Sequence, residues 1–228
     1  MKVLVTHVVA MYLETTDIPA DISITTFTQL PAGDYAGLIA SVNTPVRGDA
    51  IAQLPNLKII ANYGVGYDNI DVAFAKARGI AVTNTPGVLT EATAELTWAL
   101  ILAVARRIGE GERLVRAGNW KGWKPDFLPG TGLSGKTLAI VGAGRIGTAV
   151  GEKASAFGMN VRYWRRGDDL DELLKTADVI SIHLSKSPET EKLIDARRLS
   201  LLKDDAMFIN TARGALVDES ALIKELQS

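Results

Sequence analysis

Residues Leu138 to Ala154 read LAIVGAGRIGTAVGEKA, an apolar strand running straight into Gly142, Gly144 and Gly147 and then into an alanine-rich helix. A strand followed at once by glycines at this spacing has few ways to fold. Gly142 suits a tight turn, Gly144 lets the backbone approach a pyrophosphate, and Gly147 lets the helix pack close to the strand. The helix start then directs unpaired N–H groups and a positive dipole end at the phosphates. The same glycine spacing also occurs in turns that bind nothing; here the strand before it and the helix after it both fit a dinucleotide site.

With 228 residues, 47% of them hydrophobic, the chain can bury one large core or two modest ones. Twenty-five Lys and Arg against 26 Asp and Glu leave a formal charge of −1, so no global field draws it to nucleic acid or to an anionic membrane. The expected partners are small molecules or another subunit. The absence of cysteine excludes disulfides, thiolate nucleophiles and Cys-based zinc or iron–sulfur sites, and is compatible with the cytoplasm. MKVLVTHVVAMY at the N-terminus reads as a first strand rather than a signal peptide. The longest apolar run, Trp98 to Ala105, is too short to span a membrane.

Short apolar runs at 2–7, 22–27, 36–41, 57–64 and 80–86 alternate with spacers of helical length, which implies parallel βα units. Asp71 to Gly79 has the acidic start and glycine stop of a helix. Thr90 to Gly118 reads as one long helix whose middle is apolar all round, as expected of a segment buried between two bodies. Residues 119–136, rich in Gly and Pro and carrying Trp120 and Trp123, read as a boundary loop. Packing or subunit contact is the plainer reading of the two tryptophans, a substrate wall the other. A second series follows, with strands at 137–143, 160–165, 179–184 and 206–212 and helices at 145–157, 170–177 and 218–227. The fold class is therefore α/β, with two Rossmann-like or flavodoxin-like parallel-sheet domains and a cleft between them. The expected division is a substrate domain over 1–92, a connecting helix over 93–118 and a nucleotide domain over 119–228.

Three further places carry chemistry. About 20 residues past the first glycine, where an acidic side chain binds the ribose 2′-hydroxyl of NAD, this chain has Arg165 and Arg166. Guanidinium groups grip a 2′-phosphate, which favours NADP(H) and leaves NAD(H) as the alternative. Two solvated arginines beside Asp168 and Asp169 are the plainer reading. In ANYGVGYDNID, Gly64 and Gly66 flank Val65, so that backbone N–H groups can converge on an anion, although a simple turn fits as well. In INTARGALVDESAL, Arg213 follows a strand at the carboxyl edge where open α/β sheets bind ligands; a surface Arg before a helix capped by Asp218 is the alternative.

GVGYDNID, NTPGVLTEATAELTWALILAVARR, the stretch from GNWKGW to VGAGRIG, HLSKSPETEKLID and FINTARGALVDESAL together resemble the D-isomer-specific 2-hydroxyacid dehydrogenase family, which includes glyoxylate and hydroxypyruvate reductases. The resemblance runs from about Leu57 to the last residue. It implies hydride transfer between a nicotinamide coenzyme and a small 2-keto or 2-hydroxy acid, in a homodimer formed through the nucleotide domains. By matching motif, the amides of Val65 and Gly66 would hold the substrate carboxylate, and Arg213 would bind the carboxylate and polarise the keto oxygen. Arg145 and Ile146, with Gly142, Gly144 and Gly147, would contact the pyrophosphate. Leu184, Ser185, Thr211 and Ala212 would border the ribose and nicotinamide.

The family's proton donor, a His paired with a Glu, follows the ARG motif and its helix, and no residue here matches either. The chain thus reads as C-terminally incomplete. Its histidines, His7 and His183, are both expected at strand ends and neither holds the family's acid position. RRGDDLDELL joins the second strand to its helix more directly than in relatives, and Ser185 stands where they carry Pro. A coenzyme-binding sensor or assembly protein without turnover is the alternative of a different class, and a formate dehydrogenase relative is a third reading.

Overall fold

The computed structural model describes residues 1–13, 18–19 and 21–227. The chain divides into two compact units, Met1–Val88 and Leu89–Ser228. Among the described residues no helix is long and apolar enough to cross a membrane, and no cluster of three or more His, Asp or Glu is arranged to hold a metal ion.

The first unit is built on β1 (Lys2–Thr6), α1 (His7–Leu13), β2 (Ser23–Phe27), β3 (Gly37–Ser41), α2 (Gly48–Ala52), β4 (Ile59–Tyr63), α3 (Val72–Ala77) and β5 (Ala81–Thr83). Its strands are all parallel, in the order β2-β1-β3-β4-β5. This is the flavodoxin-like order, in which the chain steps to one side of β1 and then to the other. Period-two alternation divides the side chains. Leu4, Leu38, Ala40 and Ile60 pack with Ile51, Leu54 and Ala75, while Val3 and Val5 meet Val9 and Ala10 of α1. α1 starts immediately after β1, so His7 is the exposed first residue of a helix rather than a strand end.

The second unit contains α4 (Thr90–Ala105), α5 (Ile108–Arg116), β6 (Thr137–Val141), α6 (Arg145–Lys153), β7 (Asn160–Trp164), α7 (Leu170–Thr176), β8 (Val179–Ile182), α8 (Ala196–Leu199), β9 (Met207–Asn210) and α9 (Glu219–Glu225). Its parallel sheet runs β7-β6-β8-β9. Leu138 and Ile140 face a core shared with α4 and α6, and Ala139 and Val141 face the opposite core with Leu170, Leu174, Ile194 and Leu216. β8 is buried along its whole length, as expected of a central strand covered on both faces.

Three expectations change. The helix foreseen over 93–118 is two helices, because the Thr131 N–H takes the Ala105 carbonyl at 2.7 Å and ends α4. Arg107 then turns left-handed at φ 53° and reaches forward to Glu110, fixing the first turn of α5. Nor is α4 buried all round. Ala94, Thr97, Trp98, Ile101 and Ala105 are buried, while Leu96, Leu100 and Val104 are exposed. The helix foreseen over 145–157 ends at Lys153 and tightens into a 3₁₀ turn, Ala154–Phe157, before Gly158.

α6 and β6 approach closely enough that only glycine fits between them. A Cβ on Gly147 would lie 2.1 Å from the Gly142 carbonyl oxygen and 2.9 Å from Ile140 Cγ2. Gly147→Ala is therefore expected to destabilise the second unit by about 2–3 kcal/mol through overpacking. Gly144→Ala, whose methyl would meet nothing within 4 Å, is expected to cost less than about 1 kcal/mol. Urea unfolding of the two variants tests the contrast.

Candidate active site

Two groups of residues carry the expected chemistry, one in each unit. In the second, β6 ends in a turn whose glycines have separable roles. Gly142 has φ 109°, and a Cβ there would lie 2.6 Å from the His183 carbonyl oxygen, so the ends of β6 and β8 meet only through glycine. These two strands flank the point where the chain changes direction across the sheet, the usual ligand position in an open α/β sheet. Gly144 is the N-cap of α6, supplies no capping side chain, and would carry a Cβ into open space. Arg145 and Ile146 form the first helical turn behind it, with N–H groups that intrahelical bonds leave over. An open glycine face backed by unspent helix donors fits a dinucleotide pyrophosphate.

Leu184 lies over the same turn, its Cδ2 2.8 Å from where a Gly142 Cβ would be. Ser185 follows it, and its carbonyl accepts from Thr190 Oγ1 at 2.8 Å, which folds the SKSPET loop back on itself. After β9, Thr211 Oγ1 is 3.0 Å from Thr97 Oγ1 of α4. Asn210 holds the turn beyond: its Oδ1 accepts from the Ala212 N–H at 3.0 Å and its Nδ2 donates to the Arg213 carbonyl at 2.9 Å. Arg213 is half-buried, and its Nη1 donates to the Ala212 carbonyl at 2.9 Å.

Arg165 and Arg166 follow β7 in a tight turn and are exposed. Asp168 accepts from the Arg165 N–H at 2.7 Å, and Asp169 caps α7 by accepting from the Glu172 N–H at 3.1 Å. Both carboxylates therefore serve backbone donors, and the shortened connection is a capped turn.

In the first unit, Val65 and Gly66 lie in the loop after β4. Of the two flanking glycines only Gly64 is in the left-handed half of conformational space, at φ 152°; a Cβ there would meet Val42 Cγ1 at 2.2 Å. Asn62 and Asn69 are buried beneath the loop and Asn84 is beside it. These asparagines and Asn210 escape motif reading. The signal for Asn62 was a polar residue inside the apolar run LKIIANYG, since a buried amide must find partners.

His183 is mostly enclosed just past β8, its Nε2 2.8 Å from the Oγ of fully buried Ser181. Burial pushes its pKa down to about 4, so the ring is neutral at neutral pH. Because the folded state disfavours the imidazolium, this residue's contribution is complete above the unfolded value of about 6.5 and is lost as pH falls towards 4, by on the order of 3 kcal/mol. Urea unfolding at steps between pH 7 and 4 is expected to show a shallower loss of stability for His183→Gln than for the unaltered chain.

Residues 98–228 match the D-isomer-specific 2-hydroxyacid dehydrogenase NAD-binding domain, and residues 13–156 match that family's catalytic domain. A glyoxylate reductase from Thermococcus litoralis is 49% identical over 207 residues, which is 83% of this chain and 62% of that protein. The chain thus spans under two thirds of that relative. A crystal structure of a Thermus thermophilus protein is 43% identical with a TM-score of 0.87, covering 100% of this chain and 79% of that one. Aquifex aeolicus D-lactate dehydrogenase, solved with NAD and lactic acid, is 32% identical with a TM-score of 0.88, covering 99% of this chain and 73% of that one. The glycine turn at the β6–β8 junction and the two parallel sheets are thereby accounted for together: the chain belongs to the D-isomer-specific 2-hydroxyacid dehydrogenases.

Proposed function

We propose that these residues bind the coenzyme and substrate of an oxidoreductase that reduces a small 2-keto acid, such as glyoxylate or hydroxypyruvate, to its 2-hydroxy acid, the D-isomer where that product is chiral, with NADPH preferred to NADH. The observation that carries this reading is the Gly142–Gly147 turn, where packing forbids a side chain at the outer glycines while Gly144 faces open space. Arg145 and Ile146 present helix N–H groups to the pyrophosphate. Leu184, Ser185, Thr211 and Ala212 border the ribose and nicotinamide. A bound nicotinamide supplies the hydride. The Val65 and Gly66 amides orient the substrate carboxylate, and the Arg213 guanidinium stabilises negative charge as it develops on the keto oxygen. Arg165 and Arg166 bind the 2′-phosphate, a role supported by their exposure and by the engagement of Asp168 and Asp169 with backbone N–H groups. Homodimerisation through the second unit is supported by exposed Leu96, Leu100, Val104, Trp120 and Trp123.

Neither histidine is assigned as proton donor: His7 is exposed at the start of α1, and His183 is neutral and bound to Ser181. That observation also favours a second reading, a protein that binds the coenzyme without turnover. NADPH oxidation with glyoxylate, measured beside NADPH binding, separates the two. Binding by this chain, with turnover only in a longer form that adds a Glu and His pair, is expected for the dehydrogenase; binding without turnover in every natural form is expected for the sensor.

Arg213→Ala is expected to weaken binding of oxalate, an inert carboxylate mimic, by about 10- to 100-fold; unchanged affinity removes Arg213 from the site. Arg165→Asp is expected to swing preference from NADPH towards NADH by at least about tenfold. An unmoved ratio of dissociation constants leaves the pair as solvated surface charge.

A further inference from the structure

The three peptide groups that follow Gly64 are each held by their carbonyl oxygens. Asn62 Nδ2 donates to the Gly66 carbonyl at 2.7 Å and, at a longer 3.4 Å, to that of Gly64. The Thr85 N–H also donates to the Gly64 carbonyl at 3.1 Å, and Asn84 Nδ2 donates to the Val65 carbonyl at 2.8 Å. In a trans peptide the C=O and the following N–H point in opposite directions. Holding the carbonyls of Gly64, Val65 and Gly66 therefore turns the N–H groups of Val65, Gly66 and Tyr67 away from the asparagines. Among the described residues, none of those three N–H groups donates to a protein acceptor.

The orientation of Asn62 is itself imposed. Asn69 Nδ2 donates to Asn62 Oδ1 at 3.2 Å, and to the carbonyls of Ser41 and Thr44 at 3.1 and 3.0 Å. The two backbone carbonyls of Ser41 and Thr44 oblige Asn69 to present its nitrogen, one of whose two hydrogens is shared with Asn62; Asn62 must then present its oxygen to Asn69 and its nitrogen to the loop. This arrangement leaves Asn69 Oδ1 buried without a partner among the described residues, a polar atom whose burial is unfavourable. Asn62 is 2% exposed and Asn69 7%, so water competes little with either. The pair ties the loop after β3 to the loop after β4, where Gly64 already packs on Val42.

We propose that Asn62 and Asn84 are positioning residues which, through Gly64, Val65 and Gly66, preorganise three consecutive N–H donors for a carboxylate, with Asn69 fixing the orientation of Asn62. The proposal rests on the reading that Val65 and Gly66 receive the substrate carboxylate, and it adds the Tyr67 N–H as a third donor. Donors held before the ligand arrives need no reorganisation on binding, which is the source of their strength.

The test is titration of the ¹⁵N-labelled 228-residue chain with oxalate, following the amide signals of Val65, Gly66 and Tyr67. All three are expected to shift together in the unaltered chain. Asn84 is half-buried and makes one bond to the loop, so its variants are expected to fold. Asn84→Ala and Asn84→Asp are each expected to raise the oxalate dissociation constant about tenfold, and Asn84→Gln, which keeps the donor, to stay within about threefold. Asn62→Ser, checked for folding by its dispersed spectrum, is expected to weaken binding at least as much. Shifts in the unaltered chain with equal affinity in Asn84→Ala and Asn84→Asp overturn the positioning role and leave the carboxylate site standing. No shift at any of the three amides in the unaltered chain ends the carboxylate reading, and the proposal with it.

Discussion

The second unit depends on the contact between the start of α6 and the end of β6. With Gly147 against the Gly142 carbonyl, the helix axis lies nearer the sheet than any side chain allows. This closeness lets α6 begin at Arg145, just after its N-cap Gly144, with its first N–H groups free of intrahelical partners. The other side of α6 receives α4: Trp98 Nε1 donates to the Val150 carbonyl at 2.9 Å, and its ring stacks on Phe157 with centroids 4.4 Å apart. α4 in turn packs against β9, and its Thr97 meets Thr211 just beyond that strand. One steric requirement thus propagates through a helix pair to the turn that carries Arg213.

The two units present backbone donors by different means. α6 does so by its own hydrogen-bond pattern, which leaves the first-turn N–H groups over whatever the side chains are. The loop after β4 has no such pattern, and its N–H directions depend on side-chain amides beneath it. Such a loop is only as ordered as its supports, so buried Asn62 and Asn69 matter to it as Gly142 and Gly147 matter to the helix.

Much of this was legible in the chain, for physical reasons. The central strands of both sheets were legible because buried parallel strands are short runs of apolar residues, and the glycine turn because each of its glycines answers a distinct steric demand. The membership of the family followed from motifs in order. What periodicity could not show was the break at Arg107, since it comes from the Thr131 N–H, distant in sequence, taking the Ala105 carbonyl. Nor could it place α1 directly after β1, because VVAMYL suits a strand as well as a helix. The asparagines beneath the Val65 loop stayed hidden for the same kind of reason: a side-chain amide acquires a role only when folding places a carbonyl in front of it.

Peptide N–H groups and asparagine amides do not ionise in water. An anion site made from them carries no formal charge, so its grip is insensitive to acidity except through the ligand's own carboxyl group. Ionic strength also has little to screen there, because the attraction comes from dipoles at contact distance rather than from a distant charge. On the proposed reading, the Val65 loop contributes fit and direction, and the salt dependence of binding comes from charged side chains.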